Sequence, residues 1–209
     1  MKIKEATAIT GGTSSPGKMP GHSWSIPASK CITGAKLAQV AGTVCADCYA
    51  LEGRYRFPAV QNALERRLQA LEHPDWVPAM ARLAGRDKHF RWFDSGDLQS
   101  EQHLDQIAQV AEQTPETWHW LPSREVGIVA RYRKAHKIPV NLIIRISGNW
   151  VDGEPPVTDL VKSVVSRHRE YPTGYECPAK NQGNRCSGPL MDCRACWEPE
   201  VELIVYPHH

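Results

Sequence analysis

Three cysteines near the start of the chain are the residues best suited to chemistry. Thirteen residues separate Cys31 from Cys45 and two separate Cys45 from Cys48, with Tyr49-Ala50 following. Three thiolates neither fill the tetrahedron of a structural zinc nor pair off as disulfides. Zinc would need a fourth ligand, His22 or a distant cysteine. A catalytic nucleophile would need one thiol and a base, and three buried thiols with no ligand are a further alternative. Three thiolates together suit an iron–sulfur cluster in which one iron stays open for chemistry.

A second group, Cys177, Cys186, Cys193 and Cys196, has eight, six and two residues between successive members. Four thiolates close a coordination shell, so structural zinc and a fully ligated iron–sulfur cluster are both open. A third partition joins Cys45-x2-Cys48 to Cys193-x2-Cys196 in one ribbon-like zinc site. Gly183, Gly188, Pro178 and Pro189 make the surrounding segment irregular, so a metal rather than a core is expected to fix its shape. Met1-Lys2-Ile3-Lys4-Glu5 lacks the apolar run of a secretory signal and no stretch is long enough to span a bilayer. Seven cysteines in such a chain point to reduced thiols in a cytoplasm and to no membrane partner.

The elements that must position these thiols follow in order. At 209 residues the chain reads as one domain: a Gly/Ser/Pro-rich segment over 1–30, an α/β core over 31–150, and a cysteine-rich extension over 151–209. Ile3–Ile9 reads as a short strand, and Trp24–Ala28 as a strand delivering Cys31. Phe57-Pro58 opens a helix with Val60, Ala63, Leu64, Leu68 and Leu71 on one stripe, and another covers Trp76–Leu83. His89–Phe93 is a strand. Ser100 caps a helix buried through Leu104, Ile107, Ala108 and Ala111. Thr117–Leu121 is a strand, Val126–Ala135 a helix and Val140–Ile146 the most strand-like run. Leu160–Arg169 reads as a helix and Val201–Tyr206 as a closing strand.

This alternation predicts parallel strands with crossover helices: an α/β fold, either a truncated parallel (β/α) barrel or an open parallel sheet of four or five strands, with an irregular metal-bound C-terminal segment. Ser95-Gly96-Asp97, Ser123-Arg124-Glu125 and Ser147-Gly148-Asn149 all fall at C-terminal strand ends, the edge where parallel sheets bind ligands.

Two other signals carry less. Gly12-Thr13-Ser14-Ser15-Pro16-Gly17-Lys18-Met19 nearly matches a phosphate-binding loop, but Met19 replaces the magnesium-binding hydroxyl and Pro20-Gly21 replaces the start of a helix. The basic pairs Arg66-Arg67, Arg131-Tyr132-Arg133-Lys134 and Arg167-His168-Arg169 read as solvated helix faces, and a formal net charge of +2 does not by itself argue for nucleic acid.

Cys31-x13-Cys45-x2-Cys48 on a loop after the first strand resembles the cluster loop of radical S-adenosylmethionine enzymes, and its long first gap resembles the small 7-carboxy-7-deazaguanine synthases. The resemblance implies a 4Fe–4S cluster whose open iron holds S-adenosylmethionine for reductive cleavage to a 5′-deoxyadenosyl radical, with an electron donor and a substrate still to be identified. It also implies that Ser95-Gly96-Asp97 stands in for the element that grips the methionine amine, that Tyr49 borders the adenine, and that Arg124, Ser147 and Asn149 meet the carboxylate or ribose. Gly17-Lys18-Met19-Pro20-Gly21, Cys45-x-x-Cys48-Tyr49-Ala50, Asp94-Ser95-Gly96-Asp97-Leu98-Gln99-Ser100 and Cys193-Arg194-Ala195-Cys196-Trp197 resemble a phage family, gene product eighty-eight, which brings no activity with it. That context implies a host cytoplasm and a nucleotide or nucleic-acid base as substrate. The rival expectation is a non-catalytic, zinc-stabilised phage protein that binds a host protein or nucleic acid.

Overall fold

A computed structural model describes residues 1–208. Helices are α1 (Ile3–Thr10), α2 (Ile32–Leu37), α3 (Pro58–Ala70), α4 (Trp76–Ala84), α5 (Glu101–Glu112) and α6 (Val126–Ala135). Strands are β1 (Ser23–Trp24), β2 (His89–Trp92), β3 (Trp118–Ser123), β4 (Leu142–Val151), β5 (Lys162–Ser166), β6 (Tyr175–Glu176) and β7 (Leu203–Pro207). They form one seven-stranded sheet in the order β1-β2-β3-β4-β5-β7-β6, with every pair parallel. The sheet is open, with β1 and β6 at its edges.

Each of the first five strands adds beside its predecessor on the same side. Right-handed crossovers that always step one way leave their helices on one face. That face holds the main core: Phe90 and Trp92 of β2, Leu121 of β3 and Leu142, Ile144 and Ile146 of β4 pack with α4, α5 and α6. The alternate residues point the other way. There Trp120 and Ile204 meet Ala195, Cys196 and Trp197 in a second cluster. The C-terminal cysteine segment therefore covers the face that the crossovers leave bare, and Trp197 fastens it by donating from Nε1 to the Phe90 carbonyl at 2.9 Å.

Several elements agree with their local chemistry. Pro58 opens α3. Ser100 caps α5, its Oγ accepting from the His103 amide at 3.0 Å. Four expectations are corrected, the first being strand number: the sheet has seven strands rather than four or five. Ile3–Ile9 is not a strand but lies within α1: Glu5 Oε2 accepts from the Lys2 amide at 3.3 Å, Ala6 and Thr10 are buried, and Gly11 ends the helix at φ +74°. Leu160–Arg169 is not a helix; Lys162–Ser166 is β5, which pairs with β4 and β7, where paired valines favour the pleat. The strand starting near Val140 does not end at Ile146 but runs to Val151, so Ser147, Gly148 and Asn149 lie inside β4 rather than beyond it.

No described helix is long and apolar enough to cross a membrane.

Candidate metal centre

Cys31, Cys45 and Cys48 gather at the C-terminal edge of the strands, and each is tied to a different part of that edge. Cys31 precedes α2, and the α2 N-terminus is gripped by Glu125, just past β3. Glu125 Oε1 accepts from the Thr33 amide at 2.7 Å and Oε2 from the Thr33 hydroxyl at 2.8 Å. A carboxylate here satisfies an otherwise unpartnered helix donor and suits the helix dipole. The loop before Cys45 pairs with the end of β4: Val44 N donates to the Asn149 carbonyl at 2.9 Å and Val151 N to the Gly42 carbonyl at 3.1 Å. Cys48 is followed by Tyr49, whose hydroxyl donates to the Asp94 carbonyl beyond β2 at 2.5 Å.

Gly34 shows how close the first two sulfurs come. A Cβ at that position would sit 3.5 Å from both the Cys31 and the Cys45 Sγ, and 3.0 Å from the Cys31 Cβ. Glycine thus lets the α2 backbone pass close to both sulfurs, where a side chain would press on Cys31. Burial, then the Asp97 carboxylate, then the Cys48 and Cys45 thiols push the Cys31 thiol up to about 12. Burial also raises Cys45, while the Arg124 guanidinium opposes the rise. Three mutually interacting thiols in one place suit a sulfur-bound group. Among the described residues no three His, Cys, Asp or Glu side chains of either cysteine group close round a single ion.

Asp97 lies at the middle of this edge and is buried. Its Oδ1 accepts from the Ser123 hydroxyl at 2.6 Å and the Leu98 amide at 2.8 Å, and Oδ2 from the Arg124 amide at 2.8 Å. These bonds clamp the β2 end to the β3 end. Burial nevertheless pushes the carboxyl up to about 6. Each carboxylate oxygen can take two donors, so Oδ2 retains one vacant acceptor direction.

The other expected residues separate into several roles. Ser95 donates from Oγ to the Ile26 carbonyl at 2.7 Å, locking the cysteine loop to β2. Gly96 has φ +81°, and a Cβ there would lie 2.7 Å from the Ile26 carbonyl oxygen, so the packing of the loop alone requires glycine. Arg124 donates from Nη2 to the Gly148 carbonyl at 3.3 Å, while its buried Nε has no partner. Ser147 Oγ accepts from Ser163 at 3.3 Å. Asn149 is exposed and acts through its carbonyl. Tyr49 is exposed beside Tyr55, with ring centroids 5.9 Å apart. His22 lies at the opposite, N-terminal edge, its Nδ1 2.8 Å from Asp87, so it is not a fourth ligand.

Cys177, Cys186, Cys193 and Cys196 form a separate group on the sheet face. Cys186 N donates to the Lys18 carbonyl at 2.8 Å and Cys193 N to the Cys186 carbonyl at 2.7 Å, so the near-phosphate loop is a brace for this segment. Burial pushes Cys196 up to about 12 and Cys186 to about 11. Cys177 and Cys193 act on Cys186, and Cys177 and Cys186 on Cys196. Cys45 and Cys48 interact instead with Cys31, so the mixed ribbon partition is not what the fold brings together. A groove of about 760 Å³ beside α1 and α3 is remote from both groups.

Sequence reasoning missed Glu125, Ser123, Gly34 and Arg145. Glu125 and Ser123 stood in the strand-end run; their importance came from partners distant in sequence. Arg145 had a signal, a charge inside an apolar strand.

No curated protein and no solved structure shows a significant match to this chain. A family model described as Gene product 88 matches residues 2–199. The chain belongs to the gene product 88 family.

Proposed function

We propose that the chain is an iron–sulfur enzyme of the radical S-adenosylmethionine type, with Cys31, Cys45 and Cys48 as ligands to a 4Fe–4S cluster and a nucleotide or nucleic-acid base as substrate. One arrangement supports this above the rest: three thiols, fixed to different strand ends of a parallel sheet, meet beside Asp97 and the side-chain-free Gly34. When bound, such a cluster supplies one electron and an open iron for the amino and carboxylate groups of S-adenosylmethionine.

The remaining tasks belong to side chains. Asp97 uses its vacant acceptor direction on Oδ2 to orient the ammonium. Arg124, already lying along the Gly148 carbonyl, turns its unpartnered Nε toward the carboxylate. Tyr49 presents an exposed ring for stacking on a base. Cys177, Cys186, Cys193 and Cys196 hold a second metal, zinc or iron–sulfur.

Anaerobic purification from iron-replete cells tests the proposal. Iron, acid-labile sulfide and a visible iron–sulfur absorbance are expected, together with S-adenosylmethionine cleavage that Cys45→Ala abolishes. Zinc as the sole metal would sink it. The same-edge geometry also admits a non-catalytic, zinc-stabilised binding protein, favoured by the three protein donors that Asp97 already has. That alternative predicts a colourless protein whose salt-dependent nucleic-acid binding survives Asp97→Asn.

A further inference from the structure

Arg145 is fully buried, yet it makes no ion pair. The Arg and Lys ion pairs of the described residues engage other cations. The guanidinium donates only to backbone carbonyls: from Nη1 to Lys162 at 3.0 Å and Val201 at 2.9 Å, and from Nη2 to Ala195 at 3.2 Å and Glu198 at 3.3 Å. Its Nε is buried and has no partner. Carbonyl dipoles solvate a cation but do not neutralise it. A guanidinium stays protonated at any relevant pH, and a buried charge without a counter-ion is strongly unfavourable. Glu198 touches it only through its carbonyl; its carboxylate acts on Arg145 from an exposed position and forms no ion pair with it.

The buried group at this spot that a metal would hold as an anion is sulfur. Ala195 and Glu198 bracket Cys196, which is buried and whose Sγ lies 3.2 Å from the Tyr206 hydroxyl. Cys196 and Arg145 each feel the other's charge. Four thiolates around a 4Fe–4S core of charge +2, or around one divalent ion on which their sulfurs converge when it binds, leave a net charge of about −2. Arg91 adds a second cation near the group: it pairs with Asp94 at 3.1 Å, lies over the Trp120 ring at 4.5 Å, and acts on Cys186.

We propose that Arg145 is the resident counter-ion of an anionic metal–tetrathiolate centre formed by Cys177, Cys186, Cys193 and Cys196. The inference rests on the reading of that quartet as a metal site and assigns its electrostatic partner. Arg145 is then a positioning residue twice over. It shapes the 195–198 turn through two carbonyls and fixes the sign of charge that the turn must carry. The metal and the guanidinium stabilise one another, because each removes the penalty of burying the other.

The test uses the full chain with Cys31, Cys45 and Cys48 changed to Ser, so that only the quartet can load. Zinc(II), and separately iron(II) with sulfide under anaerobic conditions, are titrated against a chromophoric chelator in this chain and with Arg145→Met, Arg145→Gln or Arg145→Lys added. Two neutral replacements are used because one of them failing to fold leaves the other. Met and Gln are expected to weaken the retained metal at least tenfold, while Lys, which keeps the charge but not the four carbonyl bonds, stays within about threefold of Arg; charge pairs this deep are worth more than one decade of affinity. Met is also expected to lower the melting temperature more in loaded than in chelator-treated protein. Equal affinities for Lys and Gln, or equal melting shifts with and without metal, would overturn the counter-ion role alone. Metal stoichiometry unchanged by Cys177→Ser with Cys196→Ser would overturn the quartet as a metal site as well.

Discussion

The two cysteine groups sit in opposite electrostatic settings. In the trio, Asp97 and Glu125 raise Cys31 and Cys45, and Arg124 opposes the rise at Cys45. Around the quartet, Arg91, Arg145 and Arg194 favour the thiolate. Their supports differ too. The trio hangs on side-chain and loop hydrogen bonds at a rim that is already folded beneath it. The quartet belongs to a segment with two short 3-10 turns and a two-residue strand, covering one face of the sheet. An acid-edged site over a finished core suits a group that comes into contact with other molecules. An arginine-edged site within an irregular segment suits a group that holds the segment in shape.

The largest test of that contrast is removal of ligands. Cys193→Ser with Cys196→Ser is expected to remove stabilisation on the order of 10 kcal/mol, the scale of a structural metal, comparable with the whole stability of a domain of about 5–15 kcal/mol. Limited proteolysis should then cut within 172–200 and the melting transition should collapse. Cys45→Ser should lose its iron yet keep the melting temperature within a few degrees. Equal losses of stability would erase the distinction.

Acid comes next, acting on the core beneath the trio. Burial holds His103 and His119 down to about 3, against about 6.5 in an unfolded chain. Between those values the unfolded chain takes up protons that the folded one refuses. The stability from these neutral rings is therefore complete above about pH 6.5 and declines as pH falls toward about 3, by up to roughly 1.4 kcal/mol per pH unit for each histidine. Denaturant titrations across this range should show that slope, and His119→Gln should remove about half of it. A slope unchanged by His119→Gln would remove that ring from the account.

Asp97→Asn is expected to cost about 1–3 kcal/mol, since an amide nitrogen placed among the Ser123, Leu98 and Arg124 donors leaves one unsatisfied. Iron should fall with it, as the rim carrying Cys31 loosens; retention of full stability would show that the clamp is slack. The smallest effect on stability belongs to Gly34→Ala. Alanine favours the helix by up to about 1 kcal/mol, while the new methyl crowds Cys31 and Cys45. Metal content should drop with little change in melting, and full iron loading would show that the bare Gly34 position is not needed by the cluster.

The parts legible in sequence were those governed by local pattern. The stripe of α3, the Ser100 cap of α5 and the apolar run of β4 each carry their instruction within about a dozen residues. The convergence of the β2 and β3 ends was also legible, because parallel topology puts them on one edge whatever the register, whereas Ser147-Gly148-Asn149 proved to lie inside β4. What escaped depended on partners far along the chain. Thr33 and Glu125 are separated by 92 residues, so nothing near either names the other. Gly96 stood in the run expected to grip the methionine amine, whereas the close Ile26 backbone explains it. In α1, Ile3 and Ile9 resemble strand residues until the Lys2–Glu5 bond and Gly11 are seen to close a helix. In β5, Val164 and Val165 needed the neighbouring strands to determine their conformation.

The open sheet ends on two very short strands, β1 and β6, each of two residues. β1 is further occupied on its outer side by the antiparallel bridge between Ser14 and Ser23. Long bare rims recruit other chains into continuous ladders; margins this brief offer too few amides to nucleate one. A parallel sheet that never closes into a ring is thus guarded against edge-to-edge pairing by the shortness of its borders.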